Sequence, residues 1–301
     1  AKQGEAILVA GAGGFIGGHL MARLAASGHR VRGVDIKPID QWYQIPQGQE
    51  ALELDLSKLD ACERAVDGIT TVYNLAADMG GMGFIESHRA ECMLSGLINT
   101  HLLQTAVPAG VERFFYASSA CVYAADKQET PDVVALREQD AYPAMPEDGY
   151  GWEKLFSERM CRHFREDFGL QTRVGRYHNV YGPFGTYEGG REKAPAAICR
   201  KVAEATLLGH NEIEIWGDGE QTRSFTYIDD CLTGTLLVTD GDSADPVNIG
   251  SSEIITINQL VSTVDIISGV SLKRRHVLDA PQGVRGRKRD HTLIKDRYGW
   301  E

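Results

Sequence analysis

The sequence predicts an α/β protein built on a doubly wound parallel sheet. Short apolar runs, typical of buried parallel strands, alternate with longer amphipathic stretches that indicate helices. A glycine-rich turn follows the first apolar run, and an acidic residue, Asp35, ends the second. Such alternation favours a parallel sheet with right-handed crossovers, whose ligands bind at the carboxyl ends of the strands.

The elements can be placed in order along the chain. In the first half we expect strands over residues 6–10, 30–34, 51–54, 71–75 and 113–118. The expected helices of that half cover residues 19–27, 60–66, 90–106 and 150–167. Further on, we expect strands over residues 172–175, 212–216 and 246–250, and helices over residues 195–208 and 257–268.

The glycine-rich turn has the spacing of a dinucleotide site. Gly11, Gly14 and Gly17 follow the first strand and lead into the first helix. Small residues let the backbone approach a pyrophosphate, and the helix N-terminus directs N–H groups at it. Asp35 can accept hydrogen bonds from both hydroxyls of an adenosine ribose and repels a 2′-phosphate, so it favours NAD over NADP. Lys37 weakens that preference slightly.

Two units are expected. Residues 1–180 form a Rossmann-type NAD-binding domain, to which the chain returns at about 222–248. Glycine and proline become frequent after Tyr181, which indicates that residues 181–301 form a smaller α/β substrate-binding lobe.

Further cofactor contacts follow from the ends of later strands. The side chain of Asp55 can bond an adenine amino group, and the small Ala76 lets a cofactor lie against the backbone. The expected cofactor contacts are Gly11, Gly14, Phe15, Ile16, Gly17, Asp35, Asp55, Leu56, Ala76, Tyr150 and Lys154.

Tyr150 and Lys154 are spaced for one face of a helix. A nearby ammonium favours the phenolate, so Lys154 is expected to lower the pKa of Tyr150 and to let it take a proton from an alcohol. Ser119, at a strand end, could hydrogen-bond the same alcohol. Such a pair is common by chance, but here it falls beside the strand ends of a dinucleotide-binding sheet.

Composition narrows the ligand classes. The net charge of −11 disfavours nucleic acid and anionic membranes. The sequence contains no apolar run of about 18 residues, the length of a membrane span, and no secretory signal. The six cysteines are scattered without a CxxC pair, which predicts free thiols in the cytoplasm and no metal site.

A family resemblance rests on these motifs and on several further stretches. They are Asn74-Leu75-Ala76-Ala77, Asn179-Val180-Tyr181-Gly182-Pro183, Gly217-Asp218-Gly219 and residues 118–123 and 225–230. The chain resembles the extended short-chain dehydrogenase/reductases, the NAD-dependent epimerase/dehydratase family, over nearly its whole length. The resemblance implies an enzyme that acts on a nucleotide-linked sugar with a retained NAD.

Three stretches are similar to the GDP-mannose 3,5-epimerases within that family: residues 76–84, 118–121 and 189–197. Dehydratase relatives usually carry Asp and Glu where this chain has Ala120 and Cys121, so the usual acid for dehydration is missing. The resemblance implies GDP-mannose as the substrate and a homodimer through the helices near 90–106 and 150–167. Relatives continue beyond Glu301, so we expect a truncated C-terminus.

The same resemblance supplies the substrate contacts. They are Gly80, Met82, Ser119, Cys121, Asn179, Glu192, Lys193, Ala194, Lys201, Gln221, Arg223, Ser224 and Arg287. Several are basic, which suits a diphosphate in an otherwise acidic protein.

The chemistry of inversion needs two more groups. Oxidation at C4 of the sugar acidifies the hydrogens on C3 and C5, and inversion then needs a base on one face and an acid on the other. Cys121 and Lys193 are the candidates, in line with the resemblance. Arg191 and partial burial are expected to lower the pKa of Lys193.

Two alternatives remain open at the level of sequence. One is a 4-epimerase or an epimerase–reductase on another nucleotide sugar, although Asp35 disfavours the NADP that such a reductase would use. The other is a non-catalytic dinucleotide sensor, although sensors commonly lose the tyrosine or lysine that this chain keeps.

Overall fold

The structure, a computed structural model, describes residues 4–78, 85, 87–128, 135–280 and 288–300. Its strands are β1 (Ala6–Ala10), β2 (Arg30–Asp35), β3 (Glu50–Glu53), β4 (Thr71–Asn74), β5 (Arg113–Ser119), β6 (Gln171–Tyr177), β7 (Val180–Tyr181), β8 (Glu212–Trp216), β9 (Thr222–Arg223), β10 (Thr226–Tyr227), β11 (Val247–Ile249), β12 (Ile255–Thr256) and β13 (Lys273–Val277). Its helices are α1 (Phe15–Ala26), α2 (Leu59–Val66), α3 (Arg89–Ala106), α4 (Tyr150–Phe168), α5 (Ala194–Leu208), α6 (Ile228–Asp240), α7 (Ile257–Ser268) and α8 (Thr292–Tyr298). Across these residues, no helix is long and apolar enough to cross a membrane.

Seven of the described strands form one sheet, in the order β11-β6-β5-β4-β1-β2-β3. Every neighbouring pair in it is parallel. The strand order reverses between β1 and β4, which creates a crevice at the carboxyl ends of these strands. The predicted doubly wound parallel sheet is confirmed.

The sheet is covered on both faces. Leu8 of β1 packs in a core with Cys62 of α2 and Leu102 of α3. Its neighbour Ile7 packs in the opposite core with Leu20 of α1 and Leu232 of α6. Because successive strand residues point to opposite faces, a strand buried on both must be apolar throughout, as β1 is.

A smaller lobe carries α5, α7 and the parallel pair β8 and β13. Ile198 and Val202 of α5, Ile213 and Ile215 of β8 and Val261 of α7 pack in its core. This core holds one wall of the crevice opposite the strand ends.

The chain returns to the large domain twice. The first return brings α6 and β11, and β11 pairs with β6. The second return differs from the sequence-based prediction, which places residues 289–300 in the smaller lobe. In the structure, Ile294 of α8 packs in the same core as Val247, and Arg289 bridges to Leu136.

Candidate active site

A cleft of about 1860 Å³ lies where the strand ends face the smaller lobe. Its lining includes the glycine-rich turn, the end of β5, the start of α4 and the first half of α5. The position agrees with the crevice rule for parallel sheets. The cleft is large enough for two ligands of nucleotide size.

The glycine-rich turn is shaped for close backbone approach. Gly11 has a φ of +87°, and a Cβ on Gly17 would overlap the carbonyl oxygen of Gly11. The first helical residue is Phe15 rather than the expected His19, because Gly17 lets α1 pack directly on the turn. Phe15, Ile16 and Gly17 therefore form the helix N-terminus, and they line the cleft with Gly11 and Gly14.

Asp35 lies at the edge of this turn. Its carboxylate accepts hydrogen bonds from the N–H of Gly13 at 2.9 Å and of Lys37 at 3.0 Å. The Lys37 ammonium donates to the carbonyl of Gly13 at 2.7 Å. Lys37 is thus held on the backbone of the glycine-rich turn.

The remaining cofactor candidates also line the cleft. Asp55, Leu56 and Ala76 lie at the ends of β3 and β4. A hydrogen bond from Ser57 lowers the pKa of Asp55, although partial burial opposes it. The N–H of Ala76 donates to Asn74, which itself donates to Asn99 on α3, so a buried amide pair fixes the backbone where a cofactor would lie.

Tyr150 is the first residue of α4 and is buried. Burial raises the pKa of Tyr150 well above its usual range, the charges of Cys121 and Glu153 raise it further, and a hydrogen bond with the Ser119 side chain lowers it. The expected lowering of the Tyr150 pKa is therefore wrong, because burial raises it most and the charges of Cys121 and Glu153 add to the rise.

Lys154 nevertheless lies beside Tyr150. Its Nζ is 5.4 Å from the centroid of the Tyr150 ring and donates to the carbonyl of Ala117 at 3.1 Å. The Oε2 atom of Glu153 is 3.8 Å from the same Nζ. Sequence reasoning missed Glu153, since nothing in the pattern of α4 marks a buried carboxylate.

Cys121 is held against the same tyrosine. It lies in a short 3-10 turn, Ala120–Val122, and its N–H donates to the hydroxyl of Ser119 at 3.2 Å. Its side chain packs with Ile85, Cys92 and Tyr150. Ser119, Cys121 and Tyr150 therefore form one compact group that faces the cleft.

Lys193 approaches from the other side of the cleft. It occupies the position just before α5, whose second residue is Pro195. Burial raises the pKa of the Cys231 thiol to about 12, and the charge of Lys193 is among the effects that lower it. Arg191, expected to act on Lys193, forms an ion pair with Asp78 at 2.7 Å.

The other substrate candidates of the smaller lobe are held by neighbours. Glu192 lies 3.5 Å from Arg200, and Lys201 donates to the carbonyl of Glu214 at 2.8 Å. Burial lowers the pKa of Lys201. Besides Ser119 and Cys121, the substrate candidates that line the cleft are Asn179, Glu192, Lys193, Ala194, Lys201, Gln221 and Arg223.

Ser224 differs from these residues. It is buried, and its carbonyl accepts a hydrogen bond from Asn179 at 3.1 Å, so it supports Asn179 from behind. Trp216, which sequence reasoning missed, lines the cleft 5.9 Å from the Lys201 ammonium. The candidates Gly80, Met82 and Arg287 lie outside the described residues.

Residues 7–250 match the profile of the NAD dependent epimerase/dehydratase family. The chain belongs to this family. Membership confirms the family resemblance drawn from the motifs and the predicted cofactor, NAD.

Curated relatives of this family are similar over nearly the whole chain. GDP-mannose 3,5-epimerase 1 of Oryza sativa subsp. japonica is 47% identical over 295 residues, which cover 98% of this chain and 76% of that protein. GDP-mannose 3,5-epimerase of Arabidopsis thaliana is 46% identical over 295 residues, covering 98% and 77%. The resemblance to the GDP-mannose 3,5-epimerases is confirmed.

Solved structures of the family share the fold. UDP-glucose 4-epimerase from Thermotoga maritima, with UDP-glucose, has a TM-score of 0.86 at 27% identity and covers 98% of this chain and 93% of its own. MoeE5 in complex with UDP-glucuronic acid and NAD has a TM-score of 0.80 at 27% identity, covering 99% and 93%.

Proposed function

We propose that this protein is an isomerase that inverts GDP-mannose at C3 and C5 and forms GDP-L-galactose; inversion at C5 alone would form GDP-L-gulose. The observation that carries the proposal is the packing of Cys121 against Tyr150. This contact joins a group suited to proton transfer at carbon with the phenol of a redox pair. A 4-epimerase needs only the redox pair.

The turn at Gly11–Gly17 and the carboxylate of Asp35 fit a dinucleotide. A Cβ at Gly11 would lie 2.9 Å from the N–H nitrogen of Ala76, so this cradle depends on glycine. Gly11, Gly14, Phe15, Ile16, Gly17, Asp35, Asp55, Leu56 and Ala76 would hold the cofactor. NAD bound there would supply hydride uptake from C4 of the sugar and its later return.

Tyr150 would act on the C4 hydroxyl. As a base it takes the hydroxyl proton during oxidation, and as an acid it returns the proton when the ketone is reduced. Ser119, which shares a hydrogen bond with Tyr150, would orient the sugar oxygen. The ammonium of Lys154 would stabilise the phenolate while the proton is away.

Cys121 and Lys193 would perform the inversions. The 4-ketone acidifies the hydrogens on C3 and C5, and the two side chains line the cleft from the sheet and from the smaller lobe. One removes a proton from one face of the ring, and the other supplies a proton to the opposite face. A thiol, with a reference pKa of about 8.5, suits either role.

The smaller lobe would hold the GDP portion. Lys201 and Arg223 line that end of the cleft with Gln221 and Trp216. Two cations and an aromatic side chain suit a diphosphate and a base. Asn179, Glu192 and Ala194 would contact the sugar, and Ser224 would support Asn179.

Proton exchange tests the proposal. The protein is incubated with GDP-mannose in deuterated water, and the sugar protons are followed by NMR. Deuterium should enter at C3 and C5. A folded, NAD-loaded protein that exchanges neither position would refute the 3,5-epimerase. Exchange-free inversion at C4 would instead identify a 4-epimerase.

We also propose a homodimer through α3 and α4. Met93 and Leu97 of α3 and Trp152 and Phe156 of α4 are exposed although large and apolar. Such a paired helix face suits a second copy of the chain. Sedimentation of Phe156→Glu against the wild type tests this, and an unchanged mass for the variant would contradict it.

A cytoplasmic location and the two-unit organisation remain proposals as well. None of the six cysteines, all of which lie in the described part of the chain, forms a disulfide bond, which suits a reducing compartment. The separate cores of the sheet and of the smaller lobe support an NAD-binding unit over residues 1–180 and a substrate lobe after it, with returns to the first unit.

A further inference from the structure

The carboxylate of Glu153 is buried under the proposed redox pair. Glu153 is only 3% exposed. Its Oε1 accepts hydrogen bonds from the hydroxyls of Tyr116 at 3.1 Å and Ser157 at 2.8 Å. Its Oε2 accepts no hydrogen bond from the described residues and lies 3.8 Å from the Nζ of Lys154. The carboxylate is therefore fixed at one oxygen and faces the lysine with the other.

The ammonium of Lys154 is held in place by these surroundings. It donates to the carbonyl of Ala117, and it lies 4.8 Å from the centroid of the Tyr116 ring and 5.4 Å from that of Tyr150. Tyr116 is also the donor to Glu153. One acid thus orients both the lysine and the aromatic ring beneath it.

Several groups face Tyr150 from the elements packed around it. Ser119 and Cys121 approach from the end of β5 and Cys92 from α3, while Glu153 and Lys154 belong to α4 itself. Burial raises the pKa of Tyr150 most, and Cys121 and Glu153 add to the rise. Burial also raises the pKa of the Cys92 thiol, which keeps that group neutral. Among these groups around Tyr150, Glu153 is the carboxylate.

The proposed reaction uses the phenol of Tyr150 twice. It must lose a proton when C4 is oxidised and return one when the ketone is reduced. The ammonium of Lys154 favours the phenolate, and the phenol must be protonated again before it can return a proton to the sugar oxygen. A negative charge beside the lysine offsets part of its effect and keeps the phenol suited to both steps.

We propose that Glu153 is a positioning residue that acts through Tyr150: its carboxylate, a buried negative charge beside the ammonium of Lys154, opposes the loss of the phenolic proton. The inference deepens the proposed function, since it rests on Tyr150 acting as the base.

The variant Glu153→Gln removes the charge and nearly keeps the shape. Removing a negative neighbour favours the phenolate, so the pH at which Tyr150 ionises should fall by about one unit. The NAD-loaded protein is labelled at the ring carbon that bears the tyrosine hydroxyl, and its ¹³C NMR signals are followed against pH. Tyr150→Phe identifies the signal of Tyr150.

The pH–rate profile of deuterium exchange supplies a second readout. Its acid limb should move to lower pH in Glu153→Gln by the same amount, while KM for GDP-mannose changes little. At high pH the variant should reduce the ketone more slowly, so the 4-keto sugar should accumulate.

Two further variants separate charge from structure. Ser157→Ala removes one hydrogen bond to the same carboxylate but keeps its charge, so the ionisation of Tyr150 should stay at the wild-type pH. Glu153→Asp keeps the charge but moves the carboxylate away from Tyr150, because the side chain is shorter. The pH at which Tyr150 ionises should then fall by less than in Glu153→Gln.

The outcomes distinguish this inference from the proposed function. An unmoved or raised ionisation of Tyr150 in Glu153→Gln, or a matching shift in Ser157→Ala, would overturn the role of Glu153. Full activity of Tyr150→Phe would instead overturn Tyr150 as the base. The NMR titration needs no turnover, so it reads the effect of Glu153 in either case.

Discussion

The guanidinium of Arg191 lies 2.7 Å from the carboxylate of Asp78. Arg191 precedes α5 of the smaller lobe, and Asp78 follows β4 of the sheet, so this ion pair joins the two walls of the cleft. The side chains are 43% and 44% exposed. Pairs this exposed contribute under about 1 kcal/mol to stability, so we expect the pair to affect substrate binding more than folding.

Removing either partner should weaken the contact between the two walls of the cleft. Arg191→Met and Asp78→Asn should each raise KM for GDP-mannose several-fold, with a small effect on the melting temperature. The double variant should be no worse than the singles, because both remove the same contact. Steady-state kinetics and calorimetry measure the two effects. Additive increases in KM would show that the residues act separately.

Cys121 and Lys193 should be dispensable for oxidation but not for inversion. Cys121→Ser and Lys193→Met should slow deuterium entry at C3 or C5 by about 10²- to 10⁴-fold, while GDP-mannose still reduces the bound cofactor. Ultraviolet absorbance reports the reduction, and NMR reports the exchange. Cys199→Ser, at an exposed thiol of α5, is the matched control. Wild-type exchange in both variants would disprove the assignment of these two residues.

Asp35 should determine the choice of cofactor. Asp35→Ser removes the carboxylate that we propose binds the ribose, so NAD should bind about 10- to 100-fold more weakly. The variant should also discriminate less against NADP, because the repulsion of the 2′-phosphate is gone. Calorimetric titration of cofactor-free protein measures both affinities. Asp40→Ser, on the exposed turn Ile39–Gln41, should leave them unchanged. An unaltered ratio in Asp35→Ser would refute the role.

The parts that could be predicted from the sequence are those with local physical signatures. A strand buried on both faces must be apolar throughout, so β1 was placed with its observed bounds. Helix α6 was missed because its core face includes Gly234, which packs against Ile249 and Trp300 from distant parts of the chain. Glu153 was missed for a related reason, since its burial depends on Tyr116 of the neighbouring strand.

The ion pair of Arg176 and Glu158 should be important for the stability of the folded protein. Their charged groups lie 2.7 Å apart and are almost fully buried, and Glu158 also accepts a hydrogen bond from Ser118. Glu158→Gln leaves the guanidinium buried without its countercharge, which should cost about 3–5 kcal/mol in the free energy of unfolding. Urea denaturation measures the loss. Glu166→Gln, at an exposed ion pair on the same helix, should leave the urea midpoint nearly unchanged.

The ring nitrogens of His178 and His291 lie 3.3 Å apart, and this pair should make the protein less stable in acid. Burial lowers the pKa of His291 to about 4 and that of His178 well below its usual range. A histidine in the unfolded chain has a pKa of about 6.5. Below about pH 6.5 the unfolded state therefore binds more protons than the folded state. The stability present above that pH is lost as the pH falls towards the lower pKa values of the folded protein.

One proton accounts for a slope of at most about 1.4 kcal/mol per pH unit. His291→Asn should flatten the decline of the urea midpoint between about pH 6.5 and pH 4, whatever its stability at neutral pH. If His291→Asn declined as steeply as the wild type, proton uptake by His291 would not be the cause of the acid sensitivity.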